Sequence, residues 1–116
     1  MALEFRDRHV DSVLVTAPVG RIDESTADAF KLGFIERVQT NDASVYDLSC
    51  VDYMSSRGLR ALTLGQRAAI QAGHRFSIAS LNETMREIFA LSRYDQAFKI
   101  EPDIAHAIKA LQTDLD

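Results

Sequence analysis

The sequence predicts an α/β domain: a mixed, mostly parallel sheet of four to five strands, packed by four helices in the order ββαβαβαβα. Three observations carry that expectation. Short apolar runs alternate with segments whose apolar residues recur every three to four positions, which implies crossovers between parallel strands. The first two runs are joined by a short polar link, so the sheet should open with an antiparallel hairpin. The chain has 116 residues, enough for one hydrophobic core but not two, so a single domain over residues 1–116 is expected.

Leu3-Glu4-Phe5-Arg6 alternates with period two and reads as a half-exposed edge strand. Ser12 to Val19 is an apolar, β-branched run ending around Pro18 and Gly20, and pairs with the first strand. Asp23-Glu24-Ser25-Thr26 supplies capping and acidic residues ahead of a helix whose inward face is Ala27, Phe30, Phe34 and Val38. Asn41-Asp42 stops that helix before a strand from Val45 to Leu48. After Ser56 comes a helix that is apolar around most of its circumference. Its polar residues fall mainly on one stripe of Arg60, Thr63, Arg67, Gln71 and His74, and Gly73 ends it. Phe76 to Ala79 is a short strand, and Asn82 caps a helix with Met85, Ile88 and Phe89 inward. Phe98 to Ile100 forms the last strand. Pro102 opens a final helix with Ile104, Ala107, Ile108 and Leu111 on one face.

Composition narrows the function. The hydrophobic share of 47% and charged share of 26% are those of a soluble globular protein. A net charge of −4 argues against direct nucleic-acid binding, which needs a basic face to neutralise phosphates. No apolar run approaches the roughly 20 residues of a membrane span, and the charged N-terminal segment lacks a signal-peptide core. One cysteine, Cys50, fits a reducing compartment. A cytoplasmic protein is expected.

The stretch from Val45 to Leu64 holds the most informative chemistry. A strand runs into a tight polar turn, and Met54-Ser55-Ser56-Arg57-Gly58-Leu59 opens the apolar helix. The first N–H groups of a helix have no intrahelical partner, and the dipole favours negative charge there. Three roles compete for the serines. Ser55 or Ser56 can cap the helix, worth about 1 kcal/mol. A phosphoserine at the same place adds roughly −1.5 to −2 charge and is tolerated by the fold, while changing the surface a partner meets. A serine nucleophile is the third. Ser56-Arg57-Gly58 matches the end of a G-x-S-x-G elbow, but Met54 replaces its first glycine. The two downstream histidines are badly placed: His74 ends the same helix roughly 25 Å away, and His106 lies on the last helix.

The stretch resembles the signature of the STAS domain, the fold of bacterial anti-sigma factor antagonists. That signature is a strand ending Asp-Leu-Ser, a short apolar turn, then Asp-Ser-Ser-Gly-Leu at a helix start. Asp47-Leu48-Ser49 and Ser55-Ser56-Arg57-Gly58-Leu59 stand in those places. The predicted element order matches the STAS fold along the whole chain. The resemblance implies that Ser56, two places before Gly58, is the phosphoacceptor, with Ser55 as second choice. It implies an anti-sigma factor serine kinase and a serine phosphatase as partners, and a chain that is substrate and binder rather than catalyst. Asp23, Ser55, Arg57 and Gly58 would shape the partner-binding surface. Ser55 and Arg57 depart from the family's acidic and small residues. Arg57 could pair with a phosphate on Ser56 or meet an acidic partner patch. A STAS subunit of another signalling or lipid-transport complex is the alternative.

The remaining polar residues have plainer roles. Asp23 can serve as a helix cap, and Asp47 can bond turn amides. Cys50, His9, His74 and His106 lack metal-ligand spacing, so no metal or other cofactor is expected. Cys50 is expected to be a small buried turn residue. Leu32 and Ile35 diverge from the inward face of the first helix and could help seat a partner.

Overall fold

The computed structural model describes residues 3–114, so Met1, Ala2, Leu115 and Asp116 of the expected domain lie outside the described residues. The strands are β1 (Glu4–Val10), β2 (Val13–Ile22), β3 (Ala43–Asp47), β4 (Val51–Met54), β5 (Arg75–Ala79) and β6 (Ile100–Glu101). The helices are α1 (Ala27–Thr40), α2 (Ser56–Ala72), α3 (Glu83–Ser92), α4 (Tyr94–Ala97) and α5 (Ile104–Asp114). The expected α/β class and mixed, mostly parallel sheet are present. Among the described residues, however, there are six strands and five helices instead of four to five and four. The added strand β4 lies where a turn was expected, and the added helix α4 is one short turn after α3.

Pairing runs β1-β2-β3-β5-β6, with β4 beside the C-terminal end of β2. Only β1 with β2 is antiparallel. Their hairpin turns at Asp11-Ser12, where Asp11 adopts φ 55, which a short polar side chain tolerates. β2 continues through Pro18 to Ile22. Pro18 falls in the gap between β3, which pairs up to Thr16, and β4, which pairs from Gly20. A missing N–H costs no parallel ladder bond there.

The parallel strands are buried on both faces, so their side chains feed two cores. One holds Ile22, Phe30, Phe34, Tyr46, Leu62, Met85 and Phe89 beneath α1, α2 and α3. The other joins Val13, Val15, Val45 and Ala79 to Ala107 and Leu111 of α5. Most helices thus share one face, and α5 alone covers the other. α2 is less enclosed than its composition predicts, with Ile70 71% exposed. Ile35 packs against the first core, whereas Leu32 is exposed, so only Leu32 of that pair is free to meet a partner.

β1 is held onto α1 by a fork between Arg37 and Asp7, with N–O distances of 3.1 and 2.9 Å. The same guanidinium lies 4.1 Å from the Phe5 ring centre and donates to the Gly33 carbonyl. Partial burial pushes the Asp7 carboxyl up, but the bonds and charge of Arg37, with smaller contributions from Thr16 and His9, together hold the group below the ordinary carboxylate range. A depressed folded value means that stability is present above the unfolded pKa, about 3.9, and is lost as pH falls through the folded value. Asp7→Asn should therefore cost about 1 kcal/mol at pH 7, a modest figure because the carboxylate is part-exposed. Urea unfolding should show wild type and variant converging as the pH falls below the ordinary carboxylate range. A gap that stays constant with pH would remove the carboxylate as its cause.

Candidate functional site

The candidate site is the mouth of α2, built from the ends of β2 and β4. The Ser55 N–H donates to the Ile22 carbonyl at 2.8 Å, which ties the turn after β4 to β2. Ser55 is extended (φ −76, ψ 174), and its Oγ accepts the Gly58 N–H at 3.4 Å, a long bond. Its carbonyl takes the Leu59 N–H at 2.9 Å. Ser55 is only 8% exposed. It is the N-cap. Ser56 is the first helical residue, and it is exposed. Its hydroxyl forms no hydrogen bond among the described residues. Two adjacent serines are thus given opposite environments by the geometry of one helix start.

Gly58, expected to shape the surface, is buried instead. A Cβ built on it would lie 2.5 Å from Met54 Cγ and 2.7 Å from Ile22 Cγ2. Its contribution is to let α2 sit close against β2 and β4, and so it acts on the surface from below.

Arg57 is exposed beside Ser56 and reaches α1. It pairs with Asp28 at 2.8 Å and with Glu24 at 3.4 Å. Asp23 lies one residue beyond Ile22, next to the strand end that binds Ser55. It is not the helix cap. Its carboxylate accepts the Ser25 hydroxyl at 2.7 Å and the Ser25 N–H at 2.9 Å, and takes Arg21 at 3.2 Å. The Ser25 bonds, with Arg21, hold Asp23 below the ordinary carboxylate range. Arg21 stacks 4.0 Å above the Tyr53 ring, which adds an aromatic face to this rim. Glu24, Asp28 and Tyr53 were not among the expected site residues; Tyr53 adjoins the serine turn in sequence, whereas Glu24 and Asp28 come from the entrance of another helix and carry no local signal.

Asp47 bonds the Ser49 amide at 3.0 Å, the turn role expected of it. Cys50 is exposed, not buried: it lies with Ser49 in the two-residue turn between β3 and β4. His74 places Nδ1 2.8 Å from the Val38 carbonyl at the far end of α2, and His106 pairs with Asp103 on α5. Neither lies at the serine end of α2, so neither of these histidines is placed to act as a base for a serine there. Among the described residues no cluster of three metal-ligating side chains occurs, and no helix is long and apolar enough to cross a membrane.

A family model of the STAS domain matches residues 4–107. The chain belongs to the STAS family. This STAS domain is 25% identical over 107 residues to BtrV of Bordetella bronchiseptica, named for a proposed anti-sigma factor antagonist role. That match covers 91% of this chain and 92% of BtrV. Among solved structures, an anti-sigma factor antagonist from Mycobacterium paratuberculosis superimposes with a TM-score of 0.83 at 25% identity, covering 95% of this chain and 94% of that one. SpoIIAA of Bacillus, solved in unphosphorylated and phosphorylated forms, shares the fold at 14% identity with TM-scores of 0.75 and 0.65. The two SpoIIAA matches cover 95% and 92% of this chain, and 97% and 98% of SpoIIAA.

Proposed function

We propose that this STAS domain is an anti-sigma factor antagonist, a regulatory binder whose docking to an anti-sigma factor serine kinase is switched by phosphate on Ser56. The observation that carries this reading is the split between the two serines. Ser55 is consumed by the helix cap, while Ser56 presents a free hydroxyl to solvent at the positive end of α2. The names of the relatives, and a neighbour solved with and without phosphate, support it.

The physics is local. A phosphate on Ser56 meets unpaired N–H groups and a favourable dipole, so the domain stays folded. Its charge of roughly −1.5 to −2 sits on the docking surface, and a partner groove shaped for a neutral hydroxyl rejects it. A serine phosphatase restores the binding form. Kinase and phosphatase act in the cytoplasm, a setting that suits the exposed thiol of Cys50.

Purified anti-sigma factor serine kinase with ATP should phosphorylate the wild-type chain on Ser56, as read by mass spectrometry. Ser56→Ala should take up no phosphate. Ser55→Ala should still be modified, while losing about 1 kcal/mol of stability with its cap. Ser56→Asp should bind the kinase about tenfold or more weakly, since like charges placed together in an interface cost several kcal/mol. Uptake by Ser56→Ala at the wild-type rate would overturn the assignment.

A further inference from the structure

We infer that the groove between α1 and α2, leading away from Ser56, is a docking surface for an acidic segment of a protein partner. This deepens the proposed function, on which it rests, by assigning the chemistry of the partner. The chain carries a net charge of −4, yet α2 contains three arginines and no acidic residue. Arg57, Arg60 and Arg67 are spaced by three and seven residues and all are exposed, so they line one stripe of the helix. Across the groove Lys31 and Asp28 of α1 line the wall opposite Arg57 and Arg60, with Ala27, Ala61 and Leu64 as its apolar part. Asp28 is taken up by Arg57, which leaves Lys31 and Arg60 as the unpaired charges of the groove among the described residues.

Two features separate this stripe from ordinary solvated charge. Arg57 and Arg60 lie in the first turns of α2, where the helix dipole disfavours cations. Glu24 and Asp28 offset that for Arg57. Among the described residues Lys31, Arg60 and Arg67 form no ion pair. Local preference is thus broken at Arg60, and Lys31, Arg60 and Arg67 are left available to an external anion. Three arginines on an acidic protein are too few to neutralise a nucleic-acid backbone, whereas they match a short acidic, partly apolar face. Ser56 stands at the head of the stripe, so its phosphate would both neutralise Arg57 and repel an acidic occupant.

The test uses the full ¹⁵N-labelled chain with a synthetic amphipathic helix of about 15 Glu and Leu residues, and its Lys and Leu counterpart. The acidic peptide should shift the amides of Lys31, Arg60, Leu64 and Arg67, and weaken as salt rises. Arg60→Glu with Arg67→Glu should lower its affinity about tenfold, and the basic peptide should not bind there. Equal binding of both peptides, or shifts elsewhere, would overturn the inference. So would a single-stranded oligonucleotide occupying the stripe, or self-association lost in the double variant. Loss of Ser56 phosphorylation with retained peptide binding would sink the switch alone; normal phosphorylation without peptide binding would sink the groove alone.

Discussion

Phe34→Ala should destabilise the domain by about 3–5 kcal/mol, a large part of the 5–15 kcal/mol by which such domains are stable. Phe34 is fully buried, and its ring meets Tyr46 at 4.5 Å and Phe76 at 5.2 Å edge-on, with Phe30 stacked at 5.8 Å. Each such pair adds about 0.5–1.5 kcal/mol beyond burial. Truncation leaves a ring-sized cavity under both helices, because α1 and α2 meet over this residue. Gly65 of α2 is part of the same contact, since a Cβ there would run into the Phe34 ring. Gly65→Ala alone should therefore be destabilising despite the better helix propensity of alanine. Combined with Phe34→Leu, it should recover part of the loss. Urea unfolding of the single and double variants reads the coupling directly. A cost below about 1 kcal/mol for Phe34→Ala would show that the aromatic cluster does not carry the core.

Much of this architecture is written in local periodicity. Ala27, Phe30, Phe34 and Val38 declare the inward face of α1, and all four are buried. Asn82 and Gly73 declare a helix start and a helix end, through side-chain acceptance from the Met85 amide and a left-handed φ of 73. β4 was missed for a physical reason. Val51-Asp52-Tyr53-Met54 has too few residues to show a period, and its partner, the end of β2, lies about thirty residues earlier. A strand that short exists through pairing, not propensity.

The site was legible in part. The serine pair at a helix start was visible, but which serine caps depends on where the first helical turn closes. That is decided by the bond from Ser55 to the Ile22 carbonyl, a contact between distant segments. The same limit applies to Arg57. Its partners Glu24 and Asp28 come from another helix entrance, so no spacing rule reveals that the arginine is already held by two carboxylates. Cys50 departs from the expectation because a small thiol is usually buried, and nothing nearby in sequence signals its exposure.

Gly58→Ala should damage both stability and the proposed phosphorylation of Ser56. The new methyl would press on Met54 and Ile22, both buried. Met54 is flexible and can yield, but the β-branched Ile22 is stiff. A packing penalty of about 1–3 kcal/mol is set against roughly 1 kcal/mol gained from replacing glycine in a helix, so the net effect is destabilising. The larger consequence is geometric. To relieve the contact, the first turn of α2 must lift from β2, lengthening the bond from the Gly58 amide to Ser55 and moving the Ser56 hydroxyl. Phosphorylation should then slow even though Ser56 is intact. Gly73→Ala is the control: it loses a left-handed glycine at φ 73, with open space around the added methyl, at the opposite end of α2. It should destabilise by a comparable amount and leave the kinase rate unchanged. Equal slowing in both variants would make loss of stability, rather than the position of the hydroxyl, the cause.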